Sequence, residues 1–532
     1  MKKISILILI LTFTEISFGQ HTNIEIDNSD GSDYLSESFI SFNPENPDNI
    51  IIGTNLSNAY VSNDRGYTWS KIILTSTAYG AWGDPCVITD IFGNYYFFHL
   101  SNPPSNGTWV DRIVCQKSED AGQTWNDISF VGLNSGEKND KETAVVDRAN
   151  NNIYLTWTQA DAYHSTNPLD SSLILFSYSD DMGENWSVPK RLSKQAGNSN
   201  GDSGMLRSAV PTIGPSGEIY VSWAGTDELG NFGIIFDKST DYGESWLEDD
   251  IFACDFPGGS QFHIPGIWQQ DDGTDPGAGW PNIACDTSGG IYKGNIYINW
   301  ADQRNGTDNT DIWMIKSTDK GNTWDAPKRV NNDGVGNQQF YSHMTVDQIT
   351  GYLYFIFYDR RNHSDNSTDV YIAVSEDGGE TFTNTKISET PFIPTEDVFF
   401  GDYSGLIAYN GMIRPVWTHL NGGIISIRTA ILEAPLETQE QNSLFFSEEL
   451  FPNPFNEEIH FSFKIKNTSS VQLRLYDIYG KEITTLINNQ ELKPGRYVKT
   501  LNAAEFKLSS GMYYFSLRIN NKTLIKKIVF TK

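Results

Sequence analysis

The sequence predicts an all-β chain: a β-propeller of seven blades, with six as the alternative count, followed by a smaller β domain. Three observations carry that expectation. Six copies of Ser-x-Asp-x-Gly-x-(Thr/Asn/Ser)-(Trp/Phe) begin at Ser62, Ser118, Ser179, Ser239, Ser317 and Ser375. Their aspartates, Asp64, Asp120, Asp181, Asp241, Asp319 and Asp377, are separated by 56, 61, 60, 78 and 58 residues. A period of this size marks one supersecondary unit repeated around a ring or along a solenoid. Each copy also follows three short apolar runs, and a seventh triplet without the motif closes the series.

The elements follow in order. Phe39–Phe42, Ile50–Gly53 and Tyr60-Val61 lead into the first motif, and Cys86–Ile88, Tyr95–Phe98 and Arg112–Val114 into the second. The same pattern precedes the other four. The motif is a hairpin turn: its Gly supplies a positive φ, its Asp accepts backbone N–H groups, and its Trp opens the next strand with a large buried ring. Those demands concern folding, so the six aspartates are structural. The seventh triplet is Leu406–Ala408, Ile413–Trp417 and Ile424–Ile431. Thr22–Ile26 supplies its missing fourth strand and closes the ring, which hides the sheet edges.

Composition narrows the function. The 532 residues hold 38 Lys+Arg against 67 Asp+Glu, a net charge of -29. Such a surface excludes nucleic acid as a partner. Met1-Lys2-Lys3 and the apolar run Ile4–Phe13 read as a secretory signal spanning 1–19, too short to cross a bilayer comfortably. No transmembrane segment is expected in the mature chain. Four cysteines, Cys86, Cys115, Cys254 and Cys285, sit in an exported chain where disulfides persist. Cys254 with Cys285, bracketing an insertion, is the more plausible pair, and buried free thiols are the competing reading.

The last segment differs in kind. Residues 447–532 carry 13 Lys+Arg against 8 Asp+Glu, reversing the sign of the rest. They open with Leu450-Phe451-Pro452-Asn453-Pro454-Phe455, continue through Val471–Gly480 with its Asp477-Ile478-Tyr479-Gly480 turn, and include Gly511-Met512-Tyr513-Tyr514. Residues 434–446 form the linker.

These motifs carry two resemblances. The repeated turn resembles the Asp-box, or BNR repeat, of sialidase-like propellers, over a domain taken as 20–433. The resemblance implies that the boxes lie on the face opposite the active site, and authentic sialidases have six blades. The C-terminal segment resembles the type A sorting domain of the type IX secretion system. That implies an immunoglobulin-like β-sandwich, contact with the secretion machinery, outer-membrane passage, and a secreted or cell-surface protein.

Candidate site residues come from the loops that enter each blade and those that join strand two to strand three, because both open on the face away from the boxes. Asp84, Asp140, Glu142, Asp402 and Tyr403 are the candidate catalytic groups. Arg207, Trp280, Arg304, His343 and Arg361 are the candidate substrate contacts. Asp302 with Arg304, and Asp359 with Arg361, also read as ion pairs locking adjacent blades. Asp302, Asp308, Asp311, Asp359 and Asp369 fall in loops rich in oxygen ligands, which suits Ca²⁺; a solvated acidic loop is the other reading. Sialidases place their first arginine in an Arg-Ile-Pro motif ahead of the first box, and none precedes Ser62. Two functions stand open: a glycoside hydrolase or related polysaccharide-active enzyme, and a non-catalytic propeller that binds a glycan, a surface glycoprotein or another protein.

Overall fold

The computed structural model describes residues 22–30, 34–103, 108–134, 136–162, 165, 167–199, 204–259, 262–267, 279–434, 446–451, 453–465, 468–477, 481–519 and 522–532. The expected secretory signal and nearly all of the linker lie outside them. The chain divides into two compact units, one ending at Ala434 and the other beginning at Pro435.

Among the described residues, the first unit forms seven antiparallel sheets. Their first strands are Phe39–Phe42, Cys86–Thr89, Lys138–Val146, Arg207–Ile213, Asn282–Cys285, Gln339–Val346 and Gly405–Tyr409. Each first strand packs on that of the next sheet, and the seventh packs on the first, so they enclose a central channel. The second and third strands are buried along nearly their whole length, as Tyr95–Leu100 and Ile113–Ser118 show. Strands flanked by sheets on both faces read as continuous apolar runs rather than alternating ones.

The seventh sheet takes its outer strand from the other end of the chain. Asn23–Ser29 pairs with Ile424–Ala430, which pairs with Met412–Asn421 and then Gly405–Tyr409. The N-terminal strand also reaches both neighbours. Asp27 accepts from Tyr60 Oη at 2.7 Å and pairs with Lys71 Nζ at 2.7 Å, while Asn23 Nδ2 donates to Ile387 O at 2.9 Å.

The boxes behave alike. In the third, Ser179 Oγ donates to Asp181 Oδ1 and accepts from Gly183 N, while Asn185 N donates to Asp181. The closing ring packs edge-on against an aromatic of the preceding blade: Trp246 lies 4.9 Å from Phe176, and Trp324 lies 5.2 Å from Phe236. Edge-to-face pairs of this kind add about 0.5–1.5 kcal/mol beyond simple burial.

The expected Cys254–Cys285 disulfide is not formed. All four cysteines are buried free thiols, and Cys254 Sγ donates instead to Asp255 O at 3.2 Å. Burial pushes the Cys254 and Cys285 thiols up to about 12, so neither is a ready thiolate.

The second unit has two antiparallel sheets. One joins Phe446–Phe451, Glu458–Ile465 and Gly495–Asn502; the other joins Glu482–Leu492, Ser469–Asp477, Gly511–Ile519 and Lys522–Phe530. Alternating residues Leu473, Leu475, Phe515 and Leu517 meet Phe461 and Phe463 in one core. Asn453, from the Pro-Asn-Pro opening, exchanges hydrogen bonds with the last strand at Lys527 O and Val529 N. The Asp-Ile-Tyr-Gly turn lies outside the described residues beyond Asp477.

Candidate active site

One backbone device builds the site. Where the chain enters the first strand of a sheet, a residue adopts a left-handed conformation: Glu37 (φ 54°), Asp84 (φ 53°), Lys141 (φ 52°), Ser208 (φ 57°), Tyr341 (φ 50°) and Gly401 (φ 84°). The pairing register breaks at the same place in three of these sheets, between Asp140 and Thr143, Arg207 and Val210, and Phe340 and His343. Such a bulge inserts an extra residue and re-aims the side chains around it. Left-handed non-glycine residues cost on the order of 1 kcal/mol each and cluster where a fold positions function. Ahead of Asp84, a Cβ on Gly83 (φ 144°) would run into Asn55 Oδ1, so the close approach requires glycine.

The entries of four sheets converge on Lys141. Its ammonium lies 3.2 Å from Glu37 Oε1, 3.3 Å from Asp84 Oδ1 and 3.1 Å from Asp402 Oδ2. It also sits 5.5 Å from the centre of the Tyr403 ring. The three carboxylates come from the entries of the first, second and seventh sheets, and the lysine from the third. Asp140 and Glu142 flank the lysine in sequence, and both are buried.

These groups hold their protons unequally. Burial, the largest influence, favours the neutral form of Asp84, but the charge on Lys141 and the hydrogen bonds from Asp140, Glu37 and Lys141 together hold that carboxyl below its ordinary value. Asp140 is raised to about 7, first by burial and then by the negative charge of Asp84 beside it. Burial also carries Glu37 and Glu142 well above the usual carboxylate range, with the Asp84 charge adding to both. Tyr403 is raised well above its ordinary value by burial and by Glu37 and Asp84. Lys141 stays charged: burial opposes its charge, but the surrounding carboxylates prevail. One carboxyl pressed down beside one pushed up is the pattern that sorts acid from base.

Two cavities meet at this cluster. The outer one, of about 380 Å³, is lined by Glu37, Asp84, Asp140, Lys141, Arg207 and Asp402, with Tyr34, Trp82, Trp109 and Phe399 among its apolar walls. The inner one, of about 80 Å³, is lined by Glu142, Trp280, His343, Tyr403 and Phe39 among others, and shares Asp84 and Lys141 with the first. Trp82 is 45% exposed and stands edge-on to Trp109 at 5.0 Å. Arg207 lies 5.7 Å from the Trp280 ring centre, and its Nε donates to Met205 Sδ. Burial depresses His343 to about 4, so it is neutral at ordinary pH.

Eight of the ten candidate catalytic and substrate residues are therefore brought together: Asp84, Asp140, Glu142, Asp402, Tyr403, Arg207, Trp280 and His343. Arg304 and Arg361 are not among them. Arg304 Nη2 is 2.6 Å from Asp302 Oδ2, with its guanidinium over Trp313, and Arg361 is 2.7 Å from Asp359 Oδ2, with its guanidinium over Tyr371. An Asp-x-Arg segment closes on itself more easily than it reaches across a channel.

The five aspartates grouped for Ca²⁺ do not converge either. Asp302 and Asp359 face their arginines. Asp311 accepts from Asn305 and Asn331, Asp369 faces His363 and Ser388, and Asp308 is exposed. Among the described residues no group of three acidic, His or Cys side chains is arranged to hold a metal ion. Glu37 and Trp82 are site residues absent from the candidate set. Glu37 stands two residues before its strand, as Asp84 does, and that position was the available signal.

Residues 449–531 match the family described as the secretion system C-terminal sorting domain. The chain is an exported protein. The domain is a type IX signal, and it addresses the chain to the cell surface or the surrounding medium. Comparison with curated proteins yields no match. Among solved structures, a Hadza microbial sialidase is 16% identical, with 73% of this chain and 75% of that one covered at a TM-score of 0.42. An α-L-arabinofuranosidase of Fusarium graminearum in complex with arabinobiose is 12% identical, covering 71% and 98% at 0.43. The NanB sialidase from Streptococcus pneumoniae is 10% identical, covering 73% and 83% at 0.41. No helix among the described residues is long and apolar enough to cross a membrane.

Proposed function

We propose that the propeller is an exported glycoside hydrolase, with Asp140 as the proton donor and Asp84 as its ionised partner. The observation that carries this reading is the split between those two carboxyls. Asp140, raised to about 7, still holds a proton near neutrality, whereas Lys141 keeps Asp84 charged. Hydrolysis of a glycosidic bond asks for both states at once. Asp140 shares a hydrogen bond with Asp84, so the protonated and the ionised carboxyl stand side by side at the cavity wall.

In the reaction, Asp140 gives its proton to the departing glycosidic oxygen as the bond to the anomeric carbon breaks. Asp84 faces the positive charge that develops on the sugar ring. Water then adds to the anomeric carbon, and its proton returns to Asp140. Trp82, nearly half exposed at the cavity wall, offers the flat apolar surface on which a sugar ring rests. An address outside the cell is consistent with a polysaccharide substrate.

The test is a hydrolysis screen on the full chain and on Asp140→Asn. Loss of a general acid costs typically 10²–10⁴-fold. Sugar release that falls by that much in a variant with unchanged circular dichroism supports the assignment. Release that is indifferent to the substitution removes Asp140 from the mechanism. Binding without release by the unaltered chain supports the recognition platform instead.

A further inference from the structure

We infer that the sugar taken by this site carries a sulfate or phosphate ester, and that Arg207 receives that ester in the outer cavity. The inference rests on the hydrolase reading and specifies its substrate.

Arg207 is only 4% exposed, yet it lines the outer cavity. Its Nε donates to Met205 Sδ, a weak acceptor, and its guanidinium lies over Trp280. Among the described residues its two terminal nitrogens meet no acceptor, and it makes no ion pair. The fold supplies other arginines buried to this degree. Arg414 gives its nitrogens to Arg65 O, Ile413 O, Leu432 O and Glu433 Oε1. Arg360 donates to Thr368 Oγ1 and Pro265 O. A buried guanidinium without acceptors is costly to keep. Here its two-pronged face is left to a ligand that brings adjacent oxygens of its own.

The charges lining this cavity match in number but not in place. Lys141 is shared by Glu37, Asp84 and Asp402. Asp140, near enough to feel the charge on Arg207, still holds its proton near neutrality and supplies no countercharge. The positive charge of Arg207 therefore goes unanswered at the cavity wall. The net charge of -29 acts on approach from afar, and salt screens it beyond about 8–10 Å.

Asp140 also indicates which anion suits the place. Arg207 draws it toward ionisation, yet burial and the Asp84 charge raise it to about 7. A carboxyl arriving on a ligand enters the same surroundings and is pushed toward its neutral form. A sulfate ester is the anion of a strong acid, and a phosphate ester keeps at least one charge near neutrality. Either stays charged beside Arg207 and offers the paired oxygens that a guanidinium grips with two parallel bonds.

Matched ligands test this on the full chain. Carrageenan and fucoidan oligosaccharides are set against their desulfated forms. Galactose 6-sulfate and galactose 6-phosphate are set against galacturonate and galactose. Binding is read by calorimetry with Asp140→Asn, and cleavage with the unaltered chain. The expected result is at least tenfold tighter binding of an esterified ligand than of its plain counterpart. Adding Arg207→Met should erase that difference and leave the binding of the plain sugar as it was. Arg207→Lys should restore the difference only in part, because an ammonium lacks the fork. Equal affinities within the pairs, or an ester preference that survives Arg207→Met, overturn the inference. The pairs decide it without a variant at Arg207, should that variant fail to fold. Galacturonate binding as tightly as galactose 6-sulfate overturns the ester class. Cleavage confined to plain sugars overturns the inference and leaves the hydrolase reading standing. Ester-dependent binding without cleavage keeps Arg207 as the anion site and removes hydrolysis. Silence across binding and cleavage overturns both.

Discussion

Lys141 Nζ lies 3.1 Å from Asp402 Oδ2, a contact that links the third sheet to the seventh across the mouth of the channel. The same nitrogen reaches Glu37 of the first sheet and Asp84 of the second. One ammonium therefore joins four consecutive sheets. It also sets the electrostatics, because its charge keeps Asp84 ionised, and the Asp84 charge helps keep Asp140 protonated. Support of the ring and tuning of the site are one arrangement.

Replacing Lys141 by Met removes the cation and strands its buried carboxylates. Breaking a buried ion pair by deleting one partner costs about 3–5 kcal/mol. The stranded acids can take up protons instead, so the loss is largest at pH 8 and shrinks toward pH 4. Calorimetric melting of the variant and the parent at both pH values checks this. Equal melting temperatures at pH 8 would show that the cluster does not hold the ring.

Asp140→Asn should change the pH dependence of stability as well as activity. The folded-state pKa of Asp140 is raised to about 7. Between about 4 and 7 the folded protein retains a proton that the unfolded chain has released. Its contribution is therefore fully present at low pH and is lost as pH rises through 7. Asparagine cannot ionise, so the variant gains on the parent as pH climbs from 4.5 to 8. Urea unfolding at 4.5, 6 and 8 reads the trend, and a difference independent of pH would show that Asp140 titrates like an exposed aspartate.

Much of this architecture was legible from the sequence, and the physical reasons are specific. The boxes are local hydrogen-bonded turns, so their geometry is written within eight residues, as at Ser179–Trp186. Strand alternation and topology then placed Asp84, Asp140 and Asp402 on one face without any knowledge of contacts. Glu37 escaped because Asp30 and Asp33 also precede the first strand and nothing local marks which of these acids the channel receives. Arg304 and Arg361 were misplaced for the opposite reason. Each has an aspartate two residues before it, and short-range closure prevails over a longer reach. The splitting of Asp84 from Asp140 was not legible at all, because it depends on which carboxylates Lys141 meets from other sheets.

Asp377→Ala tests the structural role of a box. The change removes acceptors from Ser375 Oγ, Glu380 N, Thr381 N and Thr381 Oγ1. Hydrogen bonds to a charged group contribute about 1.5–3 kcal/mol, and the half-buried position of Asp377 on the rim of the blade puts the expected loss near the lower figure. Melting temperature should fall by a few degrees while any glycan turnover per folded molecule is unchanged. A loss of turnover without a loss of stability would move the boxes into the functional site.

Deleting residues 22–30 opens the ring. Ile424–Ala430 then loses its neighbour, and the contacts of Asp27 with Tyr60 and Lys71 disappear. A bare strand edge beside an apolar core invites pairing between chains. The truncated protein should elute as aggregate or unfold at a markedly lower temperature, whereas a monomer with parental melting behaviour would show that the other six sheets suffice.

Trp82→Ala separates sugar positioning from proton transfer. The ring is 45% exposed at the wall of the outer cavity and makes no hydrogen bond to the carboxylate cluster, so its loss leaves the Asp84–Asp140 split in place. Removing a stacking surface weakens the hold on the sugar ring in the ground state and the transition state alike. That pattern raises KM with little change in kcat. On a substrate found in the hydrolysis screen, KM should rise about tenfold, and Trp82→Phe should recover most of that increase, because a smaller flat ring still presents an apolar face. The pH profile of kcat should keep the parental shape in both variants. If kcat falls with KM unchanged, Trp82 acts by orienting the acid rather than by supporting the sugar.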